Sequence, residues 1–272
     1  MGKTAHAVRL ARELHTEIIS CDSRQFYREM DIGVARPSVE ELSAVKHHFI
    51  ACRSVTEPYN IFDYEQDAIS LVGRLFHQHD TVVAVGGSGL YIDALRTKPA
   101  LLPSPTAELR ARLQQMPLEE KRAQLRLLDP DYYARVDLRN PVRLQRALEV
   151  CLTAGRPYSA ILASQQASPR PFSIQMEVLT MQPAILRARI DSRVDRMMAD
   201  GLLDEVRSLL PFRHLPTLRT VGYRELFDFF DGKCSLEKAV ELIQRNTRHY
   251  AKRQLTWWRR DASIRWVDIS GS

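Results

Sequence analysis

The segment Glu17-Ile18-Ile19-Ser20-Cys21-Asp22-Ser23-Arg24-Gln25-Phe26-Tyr27 begins with a short apolar run and ends in a polar turn. Its first five residues read as a buried strand that stops at the carboxylate of Asp22. Upstream, Ala5 to Leu14 reads as a short helix with Val8, Ala11 and Leu14 on one face. Downstream, Thr81-Val82-Val83-Ala84-Val85 is a second buried strand, halted by Gly86-Gly87-Ser88-Gly89. Strands separated by helices imply parallel pairing through crossovers. Both polar stretches follow the carboxyl ends of their strands, where open α/β sheets bind ligands.

Beyond the second strand runs a proline-rich connector, Lys98-Pro99-Ala100-Leu101-Leu102-Pro103-Ser104-Pro105. The next sixty or so residues are helical in pattern, rich in arginine and poor in strand signals, until a second connector from Ser164 to Pro171. The expected organisation is a core domain of residues 1–104 and 165–272, with a helical insertion domain of residues 105–164. Ser173 to Met181 then reads as a strand and Ala184 to Leu210 as one long helix. That helix keeps Leu186, Ile190, Val194 and Met197 on one face and Arg187, Arg189, Arg193 and Arg196 elsewhere. The last helix is expected from about Leu236 to Arg260.

Composition narrows the function classes. Of 272 residues, 44% are hydrophobic and 26% charged, which is ordinary for a globular protein. No window approaches the ~18 consecutive apolar residues of a membrane span, and no apolar leader follows Met1-Gly2-Lys3-Thr4. Cys21, Cys52, Cys151 and Cys234 are scattered without metal-binding spacing, which suits a reducing, cytoplasmic setting. A formal net charge of +6 favours polyanionic partners.

Four features carry chemistry. Gly2-Lys3-Thr4 is the tail of G-x-x-x-x-G-K-[ST], the P-loop, in which backbone amides at a helix start cradle phosphate, lysine adds a charge and threonine ligates magnesium. Three residues match often by chance, but these open an amphipathic helix leading to a buried strand. Asp22 would lie across from that phosphate cradle, where a carboxylate can hold magnesium through water or accept a proton. Gly86 to Tyr91 allows close backbone approach to a ligand, with Ser88 as donor. The last helix carries Arg245, Arg248, Lys252, Arg253, Arg259 and Arg260 with no acidic residue from Arg245 to Arg260, a run suited to a phosphate backbone. Its interleaved aromatics, Tyr250, Trp257 and Trp258, read as the buried face.

Together these pieces resemble the tRNA dimethylallyltransferase family, the isopentenyl transferases that act on tRNA. The resemblance covers essentially the whole chain. Its blocks are Gly2-Lys3-Thr4; Ile19 to Tyr27; Met30-Asp31-Ile32-Gly33-Val34-Ala35-Arg36-Pro37; His47-His48; Gly86 to Tyr91; Asn140 to Glu149; Val221-Gly222-Tyr223-Arg224; and Ala251 to Trp257. Any one block is weak, and their occurrence in order is what makes the resemblance specific.

The resemblance implies an α/β, P-loop NTPase-like parallel sheet core with a helical insertion. It implies transfer of a dimethylallyl group from dimethylallyl pyrophosphate to the exocyclic amine of the adenine 3′ of the anticodon in tRNA, with Mg2+ on the pyrophosphate. Asp22 takes the family's general-base position. Gly2, Lys3 and Thr4 fall on the pyrophosphate and magnesium positions, with Thr4 as the metal ligand. Arg189 and Arg193 match arginines near the pyrophosphate. The stretches that contact the tRNA anticodon stem-loop in the family correspond to Asp22, Ser23, Arg24 and Gln25; Ser88; Arg110; Arg143-Leu144-Gln145-Arg146-Ala147; Arg219-Thr220-Val221-Gly222-Tyr223-Arg224; and Lys252-Arg253-Gln254-Leu255-Thr256-Trp257-Trp258-Arg259. A monomer is expected. This chain departs from the family at Ser88, where threonine is usual, and at Pro183, where many members have arginine. The first strand and first half of the P-loop are expected upstream of Met1, and the chain as written is expected to bind pyrophosphate poorly. Two rival readings stand beside this one: a small-molecule P-loop kinase, and an RNA-binding relative with an inactive P-loop.

Overall fold

The computed structural model describes residues 2–164 and 170–271. The chain forms two compact units, one of Met1–Arg96 with Arg170–Ser272, the other of Thr97–Pro169.

The first unit opens with helix α1 (Lys3–Glu13), strand β1 (Ile18–Ser20), helix α2 (Val39–Ala44), strand β2 (His47–His48), helix α3 (Ile61–Leu75), strand β3 (Val83–Val85) and helix α4 (Gly89–Arg96). All three strands run parallel in the order β2-β1-β3, with Ile18 opposite His47 on one side and Val83 on the other. β1 is central and buried at every residue, as a parallel strand covered by helices must be. α3 starts where Asn60 and Asp63 cap each other reciprocally, Asn60 Oδ1 accepting the Phe62 amide at 2.8 Å and Asp63 Oδ2 the Asn60 amide at 2.8 Å. Tyr64 then stacks on Phe26 with centroids 5.4 Å apart, and both are fully buried.

After the irregular segment 97–106, the regular elements of the second unit among its described residues are all helices: α5 (Ala107–Gln115), α6 (Leu118–Leu128), α7 (Pro130–Tyr133), α8 (Pro141–Ala154) and α9 (Tyr158–Ser164). α8 has the signals a helix needs, with an Asn140 cap, Pro141 in the first turn and Gly155 at φ 63 closing it. Leu113, Leu125, Leu144, Ala147 and Leu148 form its own core.

The chain re-enters the first unit with strand β4 (Glu177–Thr180), helices α10 (Pro183–Ala199), α11 (Leu202–Ser208), α12 (Tyr223–Phe230) and α13 (Leu236–Trp258), and strand β5 (Arg265–Asp268), with short 3-10 turns at Leu210–Phe212 and Pro216–Leu218. β4 and β5 pair in parallel as a second, two-stranded sheet. The single helix expected from Ala184 to Leu210 is therefore two. Gly201 adopts φ 103, a left-handed conformation that ends α10 and lets α11 start on a new axis. The strand expected over Ser173–Met181 is confined to four residues.

Candidate active site

The carboxyl ends of β1 and β3 bring two loops side by side. The Cys21 amide donates to Val85 O at 2.7 Å, extending the strand pairing by one bond. Gly86 then lies so close to Cys21 that a Cβ there would be 2.5 Å from its carbonyl carbon and oxygen. Two residues further along each loop, the Ser23 amide donates to Ser88 Oγ at 3.2 Å, and the two hydroxyls are also 3.2 Å apart. Asp22 Oδ1 accepts the Arg24 amide at 3.0 Å, an Asx turn that fixes the carboxylate's direction. Its other oxygen faces Gly87, where a Cβ would come to 3.7 Å. This strand-end placement follows from the parallel topology, which sends both polar loops to one edge of the sheet.

Cations gather around this carboxylate. α1 begins at Gly2, whose φ of 76 turns the chain into the helix, and its first turn contains no acidic residue. Burial lowers the pKa of the Lys3 amine, and repulsion by Arg193 lowers it further, while Asp22 acts in the opposite direction. Arg193, from α10, is likewise pulled down by burial and supported by Asp22. Two partly desolvated cations thus lie near one carboxylate beside the positive end of a helix, a combination that attracts anions. Arg189, one turn earlier on α10, is half-buried. Thr4 is also half-buried, its hydroxyl in no hydrogen bond among the described residues. Among those residues no three His, Cys, Asp or Glu side chains converge to hold a metal ion.

Helix α13 forms the remaining wall through one face. Gln254 Nε2 donates to Gly87 O at 2.6 Å, and the Tyr250 hydroxyl donates to the same oxygen at 3.4 Å. Trp257 Nε1 donates to Asp93 Oδ2 at 3.1 Å, and its ring packs on Gly89, where a Cβ would come within 2.7 Å. Burial, then the nearby Asp22 charge, push the Tyr250 phenol up. Lys252, Arg253, Thr256, Arg259 and Arg260 lie on the exposed face. Arg253 stacks over the Tyr250 ring at 5.6 Å.

Several residues expected to face a nucleic acid are placed otherwise. Leu144, Ala147 and Tyr223 are fully buried and Trp258 nearly so, because each sits on the core-facing stripe of its helix. The Gln25 amide is spent on Val34 O and Ala35 O, at 3.3 and 2.9 Å. Gln145 and Arg146 both bond Glu149, and Arg224 pairs with Glu225. Gln254 and Trp257 hold the glycine loop. Gly222 is buried, Thr220, Val221 and Leu255 are half-buried, and Arg110, Arg143, Arg219 and Arg224 are exposed. Sequence reasoning missed Tyr250 as a polar group of the site, although Tyr250, Gln254 and Trp257 at i, i+4 and i+7 mark one helix face.

The model of the IPP transferase family matches residues 25–261 of the chain. The chain is 45% identical to tRNA dimethylallyltransferase 1 of Bacteroides thetaiotaomicron over 270 residues, covering 98% of this chain and 87% of that protein. It is 43% identical to the tRNA dimethylallyltransferase of Flavobacterium johnsoniae, covering 99% and 90%. The fold is similar to the crystal structure of a tRNA isopentenylpyrophosphate transferase from Bacillus halodurans, with a TM-score of 0.72 and 33% identity over 100% of this chain and 87% of that one. A eukaryotic dimethylallyltransferase acting on tRNA shares the fold at a TM-score of 0.83 and 23% identity, over 99% of this chain and 71% of that one.

Proposed function

The chain belongs to the IPP transferase family, and on that premise we propose that it transfers a dimethylallyl group from dimethylallyl pyrophosphate to the exocyclic amine of the adenine 3′-adjacent to the anticodon in tRNA. The observation that carries the reading is the meeting of the Asp22 loop with the Gly86–Ser88 loop, Ser23 bonded to Ser88, beside the cations Lys3 and Arg193, whose charges interact with Asp22. An allylic pyrophosphate ionises readily, so catalysis chiefly requires stabilising the departing pyrophosphate. Lys3, Arg193 and Arg189, with the amino end of α1, supply that charge. Breaking the carbon–oxygen bond releases pyrophosphate, and the adenine nitrogen forms the new bond to carbon. That nitrogen is a poor nucleophile because its lone pair is delocalised into the ring. Asp22 accepts its proton during attack, which makes it competent. The adenine must leave the loop stack to reach the carboxylate.

The donor set fits magnesium on the substrate rather than in a protein cage. Mg2+ binds few protein oxygens and keeps substrate phosphates and water as its other ligands. Thr4 would hold it, and its role would be to neutralise charge on the pyrophosphate. The exposed cations of α13, with Arg219 and Arg224, would track the tRNA backbone. Arg110 and Arg143 of the helical unit would add contacts to the anticodon stem-loop, making that unit a tRNA-binding insertion. We place the enzyme in the cytoplasm as a monomer. No helix among the described residues is long and apolar enough to cross a membrane.

The test is release of pyrophosphate from dimethylallyl pyrophosphate by the purified protein, with and without tRNA. Asp22→Ala should cut the single-turnover rate ~100- to 10,000-fold while tRNA binding is kept. A kinase would consume ATP instead, and a near-full rate in the variant would remove Asp22 from the mechanism.

A further inference from the structure

Glu205 lies in the first turn of α11, outside every block of the family resemblance. Its Oε2 accepts the amides of Asp31 at 2.9 Å and Ile32 at 2.7 Å. Its Oε1 accepts the amide of Gly33 at 3.0 Å and the hydroxyl of Tyr223 at 2.6 Å. Four donors on one carboxylate satisfy both oxygens with charge-assisted bonds. Burial, then the Glu205 charge, push the Tyr223 phenol up, so it stays a donor. Gly33 packs against the Tyr223 ring so closely that a Cβ would lie 2.7 Å away. One carboxylate therefore ties together two segments that sequence assigned separately, the 30–37 loop and the 219–224 run.

The loop passes this constraint on. Ala35 is held at φ 48, a conformation that a residue with a Cβ keeps only when its surroundings demand it. Arg36 secures the loop from within by donating to Tyr27 O, Arg28 O and Met30 O. The carbonyls of Val34 and Ala35 fix the Gln25 amide, and Gln25 Oε1 accepts the Ser20 hydroxyl at 3.3 Å. Ser20 Oγ in turn accepts the Asp22 amide at 3.4 Å. The path from Glu205 runs by hydrogen bonds to the 31–33 amides, through the loop backbone to the Val34 and Ala35 carbonyls, and by hydrogen bonds through Gln25 and Ser20 to the Asp22 backbone amide.

We propose that Glu205 is a positioning residue that sets the placement of the Asp22 carboxylate through the 31–35 loop and Gln25. The proposal rests on the transfer reading above. Glu205→Gln keeps the side chain's shape but turns one acceptor oxygen into a donor facing donors. Glu29→Gln is the control: Glu29 is in the same region and accepts the Ser54 hydroxyl and the Val55 amide, but lies off the path. With both substrates saturating, the single-turnover rate of Glu205→Gln should fall ~10- to 100-fold, the scale of a misplaced catalytic group. Affinity for dimethylallyl pyrophosphate should not change, and Glu29→Gln should react at the parent rate. Gln25→Met, which breaks the path at its middle, should repeat the Glu205→Gln signature and serves if that variant does not fold. A rate per folded molecule equal to the parent's, or an equal loss in Glu29→Gln, overturns the proposal. A parent protein that releases no pyrophosphate with tRNA defeats the transfer reading instead. The positioning claim is then judged on the 13C carboxyl chemical shift of Asp22 at fixed pH, which should change in Glu205→Gln and not in Glu29→Gln. An unmoved resonance overturns it.

Discussion

Replacing Gly87 with alanine separates the packing role of the glycine loop from its role beside Asp22. The added Cβ would lie 2.4 Å from Gln254 Nε2 and 3.7 Å from Asp22 Oδ2. The first distance is a clash, but with the far end of a flexible side chain, so Gln254 gives way. Its bond to Gly87 O is lost, at ~1 kcal/mol. The carbonyl keeps Tyr250 as a donor, so no buried acceptor is orphaned. With some local overpacking the total is ~1–2 kcal/mol, or roughly 2–6 °C in melting temperature. The second distance is ordinary contact and costs no stability. It does put a methyl group against the carboxylate face that must receive the adenine amine, and turnover should fall ~10- to 100-fold, the scale of a displaced reacting group. The double variant Gly87→Ala, Gln254→Ala removes the clash. It should be no less stable than Gln254→Ala alone, yet remain as slow as Gly87→Ala. Calorimetry and single-turnover kinetics on the four proteins of this cycle decide the matter. A double variant that regains the speed of Gln254→Ala would show that the methyl does not obstruct Asp22. A Gly87→Ala protein as stable as the parent would refute the packing of α13 on the loop.

Gly86→Ala should be far worse, because its Cβ would meet the Cys21 backbone at 2.5 Å and neither strand can yield. A loss of about 3 kcal/mol or more, or no soluble protein, is expected, and a normal denaturation midpoint would contradict the closeness of β1 and β3. Pyrophosphate affinity should decline at high pH earlier than an ordinary lysine predicts. Lys3 has its pKa lowered by burial and by Arg193, and bound anion favours its protonated form. Binding is therefore strongest below that lowered pKa and weakens as pH rises through it, by at most ~10-fold per pH unit. Titration calorimetry with pyrophosphate checks this, and Lys3→Arg should move the decline to higher pH. Lys252→Ala with Arg253→Ala should weaken tRNA binding and flatten its salt dependence by roughly one unit of slope per lost phosphate contact, with pyrophosphate binding unchanged; an unaltered slope in a filter-binding series would assign both to the fold. Cys21, pushed up to about 12 by burial, should resist iodoacetamide at about pH 8 while exposed Cys52 reacts, as peptide mass mapping would report.

Much of this protein was settled by local pattern. The run Glu17 to Cys21 and the run Thr81 to Val85 are apolar over a strand's length and end in turn chemistry. Each therefore specifies its own strand and the side on which its loop emerges. Asp22, Gly86 to Ser88 and Lys3 could be placed at one edge of a parallel sheet because the connections between them are helical. The cap, proline and glycine around α8 are equally local. What the chain does with its motif residues was not local. Gly201 lies within an apolar periodicity that continues past it, and only its φ of 103 shows that the helix stops. Leu144 and Ala147 do share an apolar face with Leu148, but motif membership outweighs that pattern in the sequence reading, and for Tyr223 only the packing shows that it is enclosed. Glu205 finds Asp31 across 174 residues, and Gln254 finds Gly87 across 167. Periodicity within one element fixes which residues share a face. Which faces meet is decided by the packing of all helices against the sheet at once, where burying apolar area and satisfying every buried donor select one arrangement from many locally acceptable ones.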